Sequence, residues 1–162
     1  MIELAHQPIV KNLHWPSEAA TQSFAAALAT HDALRNAFIE LRGDLGAGKT
    51  TLARHLLRAL GVSGRIKSPT YAVVEHYAVD GLAIWHFDFY RFADPREWDD
   101  AGFRDIFASA GLKLAEWPEN AAGCVPRADL VIHLQVQDDD ARAVRLCAQT
   151  ETGLALLEAA AA

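Results

Sequence analysis

The chain has 162 residues, 51% of them hydrophobic and 22% charged, and a formal net charge of −6. That length suits one domain, residues 1–162, with a core of its own, and the composition excludes a disordered or fibrous chain. The acidic balance argues against unaided binding of a phosphate backbone, because such affinity comes from Lys and Arg releasing counterions, so any RNA is expected on a partner.

Met1 to His6 lacks a basic start and an apolar run, and no later stretch approaches the roughly 20 apolar residues of a membrane span, so a cytoplasmic chain with no membrane partner is expected. Ser17 is placed to cap a helix from Glu18 to about Ala29, its hydroxyl accepting from an orphan amide while Glu18 favours the positive helix end. Asn36 to Leu41 reads as a strand. Gly43 to Gly48 is the tightest glycine cluster, and Leu52, Leu56, Leu57 and Leu60 recur at helical spacing from Thr50 to Leu60 before Gly61 ends the run. Tyr71 to Val79 and Leu82 to Tyr90 read as two strands of a hairpin turned at Asp80-Gly81. Asp94-Pro95 opens a short acidic helix, with the proline at the first helical position. Leu112 to Ala115 is a short strand ending at Glu116-Trp117-Pro118. Leu130 to Val136 and Ala143 to Cys147 form a second hairpin around Asp138-Asp139-Asp140, and Ala159 to Ala162 is a fraying helix end. Cys124 and Cys147 fit neither a disulfide framework nor a four-ligand zinc site and read as reduced core thiols.

The chemistry concentrates in Gly43-Asp44-Leu45-Gly46-Ala47-Gly48-Lys49-Thr50, which matches G-x-x-x-x-G-K-[ST] at every fixed position and lies between a strand and a helix. Gly46, Ala47 and Gly48 let successive amides point at phosphate oxygens that side chains would block. Lys49 supplies a cation for the β and γ phosphates, and Thr50 presents a hydroxyl to Mg²⁺ at a helix start that favours anions. The bland reading is a glycine-rich turn bearing a surface lysine. No Asn-Lys-x-Asp motif of the GTPase kind is present.

Mg²⁺ needs a further oxygen ligand from a neighbouring strand end. Asp88, after Ile84 to Phe87, and Glu116, after Leu112 to Ala115, both qualify; either is also compatible with a solvated turn or a cap. Ser68-Pro69-Thr70 sits where a loop can bring the Thr70 hydroxyl toward a γ-phosphate, or it is an ordinary turn into a strand. Asp44 and His86 are weaker candidates, and His86 suits a structural place in its strand. Arg142 and Arg145 are candidates for charge stabilisation over the nucleotide, or simply exposed strand residues.

Together these segments resemble the bacterial TsaE (YjeE) ATPases of tRNA threonylcarbamoyladenosine (t6A) biosynthesis. The resemblance rests on the glycine loop through Thr51, Lys67-Ser68-Pro69-Thr70-Tyr71, His86-Phe87-Asp88-Phe89-Tyr90-Arg91 with Asp94-Pro95, and Glu116-Trp117-Pro118-Glu119, in family order across roughly residues 17–145. It implies an α/β, P-loop NTPase-like three-layer fold with a mixed, largely parallel central sheet. It also implies an ATPase that works with the threonylcarbamoyl transferase TsaD and its paralogue TsaB on adenosine 37 of tRNAs reading codons that begin with A. Carried over by position, Lys49 and Thr51 hold phosphates, Thr50 and Glu116 hold magnesium, and Asp88 is the Walker-B-like aspartate. Trp117, Thr21 and Arg142 fall near the nucleotide, and Thr70 falls in the switch segment. Ser17 to Thr21 lacks the paired acids common in the family, and Ala141 to Arg145 has fewer arginines than expected. With no well-placed catalytic glutamine, turnover by the chain alone is expected to be slow and partner-dependent. A small-molecule kinase using the same loop and a nucleotide-sensing module are the competing readings.

Overall fold

A strand that must feed a glycine turn and then a helix needs apolar residues on both faces, and Phe38 to Leu41 supplies them. In a computed structural model, which describes residues 8–161, this strand lies at the centre of a seven-stranded sheet. The strands are β1 (Ile9–Trp15), β2 (Phe38–Arg42), β3 (Val74–Val79), β4 (Leu82–Asp88), β5 (Leu112–Glu116), β6 (Leu130–Val136) and β7 (Arg142–Ala148). Their order is β1-β7-β6-β2-β5-β4-β3. The central four, β6, β2, β5 and β4, are parallel, and the β7-β1 pair and β3 flank them in antiparallel pairings. The sheet is therefore mixed with a parallel centre, as expected.

Because side chains alternate across a strand, β2 sends Ile39 and Leu41 to one face and Phe38 to the other. The first face packs against helices α1 (Glu18–Ala29), α2 (Lys49–Ala59) and α5 (Glu151–Ala160). Leu52, Leu56 and Leu57 of α2 are buried there, each worth about 1.5–3 kcal/mol of transfer free energy. The second face carries an aromatic cluster, Phe38, Phe87, Phe89, Trp98 and Phe103, to which the short helices α3 (Arg96–Asp100) and α4 (Phe103–Ala108) contribute. Offset-stacked and edge-on ring pairs, such as Phe87–Phe103 at 5.3 Å and 84°, add to the area term.

Several local expectations shift. Ser17 does stand before α1, but its hydroxyl makes no cap bond; Glu18 instead accepts from His55 Nε2 at 3.0 Å, tying α1 to α2. The first hairpin strand begins at Val74, not Tyr71, because the Val73 amide donates to the Pro69 carbonyl at 2.7 Å and closes a turn with φ 69° at Val73. Its partner ends at Asp88, short of Tyr90, and residues 32–36 form a 3-10 turn that delays β2 to Phe38. Pro95 caps α3 from outside the first helical position. The Asp80-Gly81 turn is left-handed at both residues, as a two-residue hairpin requires. The terminal helix starts at Glu151, well before Ala159, capped by the Thr150 hydroxyl, which accepts from the Gly153 amide at 3.1 Å. Strand β1 was not foreseen from the sequence.

Candidate nucleotide site

Parallel packing brings the carboxyl ends of β2, β5 and β4 side by side. Leu41 pairs with Glu116 and Glu116 with Asp88, so both acids flank the loop that leaves β2. Each also falls on the α2 face by alternation, in step with Ile84 and Leu114. The turn at 43–48 holds left-handed backbone at Gly43, Gly46 and Gly48. At Gly43 a Cβ would lie 2.5 Å from the Leu134 carbonyl, so only glycine fits, whereas at Gly46 the space is open. The Arg142 Nε donates to the Ala47 carbonyl at 2.7 Å and fastens the β6–β7 turn to the loop.

Thr50, at the start of α2, donates its hydroxyl to Glu116 Oε1 at 2.7 Å, and Glu116 Oε2 accepts from His86 Nε2 at 2.6 Å. Thr70 donates to Asp88 Oδ2 at 3.2 Å, while Asp88 Oδ1 accepts from the Tyr90 amide at 2.9 Å. The two acids flagged from the sequence are thus separated by partner: Glu116 faces the helix hydroxyl and Asp88 faces the Ser-Pro-Thr turn. Lys49 is buried; its ammonium donates to the Gly43 carbonyl and lies 3.6 Å from the ring centre of Trp117. Trp117 reaches this position through a left-handed backbone, φ 55°.

Burial pushes the Lys49 ammonium below its ordinary pKa, against the opposing pull of Glu116, Glu119, Asp88 and Asp44. Burial likewise raises the Asp88 carboxyl, with the neighbouring Glu116 adding to the rise and the Tyr90 amide resisting it. Such opposed displacements in a cleft are characteristic of functional centres.

Two clefts meet over the loop. One, of about 290 Å³, is lined by Lys49, Thr50, Thr70, Asp88, Glu116 and Trp117; the other, of about 380 Å³, is lined by Trp15, Glu18, Thr21, Asp139 and Asp140 among others. Gly48, Thr51 and Arg142 line both. All the residues carried over from the sequence are therefore gathered, Thr21 and Arg142 included. Trp15 escaped sequence reading, since only the pairing of β1 with β7 brings it here, and Asp139 and Asp140 read from the sequence as the acidic turn of the β6–β7 hairpin and not as part of the site. The donor set suits a magnesium nucleotide: turned glycines, a desolvated lysine, a helix-start hydroxyl and two hard carboxylates. Among the described residues no cluster of three His, Cys, Asp or Glu side chains stands ready to hold a metal alone; a Mg²⁺ ion beside Glu116 could draw its remaining oxygens from Thr50, a phosphate and water.

The family model "Threonylcarbamoyl adenosine biosynthesis protein TsaE" matches residues 15–144. The chain belongs to the TsaE family. It is 46% identical to the tRNA threonylcarbamoyladenosine biosynthesis protein TsaE of Haemophilus influenzae over 121 residues, 75% of this chain and 76% of that one. The TsaE of Bacillus subtilis is 31% identical over 140 residues, covering 86% and 87%. The crystal structure of Bacillus subtilis YdiB superposes with a TM-score of 0.75 at 25% identity over 97% of both chains. The matched span of the TsaE model contains the glycine loop, Thr70, Asp88, Glu116 and Arg142. No helix among the described residues is long and apolar enough to cross a membrane.

Proposed function

We propose that the chain is a Mg²⁺-dependent ATPase subunit that supports t6A formation at position 37 of tRNAs reading A-starting codons. It acts in the cytoplasm with TsaD and TsaB, which hold the tRNA. The observation that carries the reading is the convergence of Lys49, Thr50, Glu116, Asp88 and Thr70 at three adjacent strand ends beside the glycine turn. Family membership supplies the pathway.

In this reading the amides of Gly46 to Thr51 and the α2 terminus receive the phosphates. Lys49 leaves the Gly43 carbonyl and the Trp117 ring to pair with the β and γ oxygens. Thr50 and Glu116 hold the metal, which supplies neutralisation of charge on the transferring phosphoryl group. Asp88 keeps Thr70 beside the γ-phosphate end of the cleft, where the hydroxyl and carboxylate orient water. Trp117, Thr21 and Arg142 border the remainder of the nucleotide. With water positioned only by Thr70 and Asp88, turnover is slow until partners order the 68–73 turn.

The test is phosphate release from ATP by the full chain, alone and with TsaD and TsaB. The expected result is Mg²⁺-dependent release stimulated by the partners and reduced at least about 10²-fold by Lys49→Ala. Unaltered release by Lys49→Ala refutes the mechanism, and transfer to an added acceptor in place of water makes the chain a kinase.

A further inference from the structure

His86 has no role in the steps above, yet it is almost completely enclosed, at 1% exposure, beside the site. Strand alternation puts it on the same face as Asp88, two register rows behind the Asp88–Glu116 pair. Its Nε2 donates to Glu116 Oε2 at 2.6 Å, and Glu116 Oε1 accepts from Thr50 at 2.7 Å. The carboxylate is held from both sides, one oxygen by the sheet and the other by the helix start. The second ring nitrogen, Nδ1, is buried with no hydrogen-bond partner. The polar capacity of the ring is therefore spent on Glu116 alone, unlike a structural histidine that ties two backbone segments. An unmet buried nitrogen costs stability that a phenylalanine in its place would not.

We propose that His86 is a positioning residue that fixes Glu116 with one oxygen toward Thr50 and so sets the affinity of the site for the divalent cation accompanying the nucleotide. The role rests on the magnesium-nucleotide reading above. Without the imidazole, the buried Oε2 has no donor, and nothing on the sheet side fixes Oε1 toward Thr50. Groups that orient a metal-binding carboxylate through its second oxygen typically contribute 10–100-fold in metal affinity.

The experiment is calorimetric binding of ADP to the full chain in EDTA and across a Mg²⁺ series, with His86→Gln, His86→Asn and His86→Phe. Glutamine can place its amide nitrogen where Nε2 stands, whereas asparagine is polar but too short to reach Glu116. The expected result is a Mg²⁺ requirement raised about 10–100-fold in His86→Asn and His86→Phe, with binding in EDTA unchanged and the requirement near wild type in His86→Gln. A wild-type Mg²⁺ dependence in His86→Asn overturns the proposal, as does an equal defect in His86→Gln, even if His86→Phe fails to fold. ADP binding by the wild type that ignores Mg²⁺ overturns the magnesium-nucleotide reading itself, and the positioning role with it.

Discussion

Replacing Asp129 with alanine is expected to remove more stability than any single change at the nucleotide site. Asp129 is 1% exposed and stands just before β6. Its Oδ2 accepts from the Phe38 amide at 2.8 Å, anchoring the start of β2, and its Oδ1 accepts from the Thr150 hydroxyl at 2.6 Å. Thr150 in turn caps α5. Alanine leaves the Phe38 N–H buried without an acceptor, a penalty of about 1–3 kcal/mol, and removes a second charge-assisted bond worth about 1.5–3 kcal/mol. The sum is about 2.5–6 kcal/mol before relaxation around Thr150, which for a chain of this length lowers the melting temperature by about 5–20 °C. Asp129→Asn keeps an acceptor for one of the two donors and should lie between the extremes. Urea unfolding followed by circular dichroism measures the loss directly. A loss below about 1 kcal/mol for Asp129→Ala would refute the claim that this carboxylate ties three elements together.

Gly153→Ala should destabilise the fold although alanine is the better helix former by about 1 kcal/mol. A Cβ there would lie 1.8 Å from the Asp129 carbonyl, a backbone atom that cannot swing aside. The expected net loss is about 2 kcal/mol or more in the same unfolding assay, and a stabilised variant would contradict the packing of α5 against the β6 start. Glu40 gives a pH signature. Burial raises its carboxyl above the ordinary glutamate value of 4.5, against the bond and charge of Arg42. The folded state thus holds this proton more tightly than the unfolded chain, so its ionisation costs stability, absent below pH 4.5 and growing as pH rises from there to the raised value. Glu40→Gln, which keeps an acceptor for Arg42, should therefore gain on the wild type as pH climbs through that window. Parallel stability curves for the two proteins would count against it.

The glycine loop was legible because its chemistry is local: strand, turn, cation and hydroxyl follow one another within a dozen residues. Asp88 and Glu116 were legible as acids at the ends of apolar runs, but not which of them meets Thr50. That depends on the β2-β5-β4 order, in which β5 inserts between strands that precede it in the chain. Strand β1 was invisible because Ile9 to Trp15 is exposed along most of its length and owes its place to β7, more than 120 residues later. The Thr150 cap is by contrast a local signal that went unread, its hydroxyl accepting from the Gly153 amide three residues on. Ser17 has the right residue type and extended backbone for a cap, yet Glu18 engages His55 and the hydroxyl stays out of the helix.

The pairing of Leu41, Glu116 and Asp88 across one row has a consequence for insertions and deletions. Strand β5 is only five residues long, and its period is two, so adding or removing one residue between Leu112 and Glu116 turns the carboxylate onto the aromatic side and offers Thr50 an alanine or a tryptophan instead. The same change before Leu112 leaves the alternation within β5 intact, although Gly111 there is itself held by Asn36 and packed against the Ala83 carbonyl. Length variation among relatives should therefore stop abruptly at Leu112, with the spacing from there to Glu116 invariant.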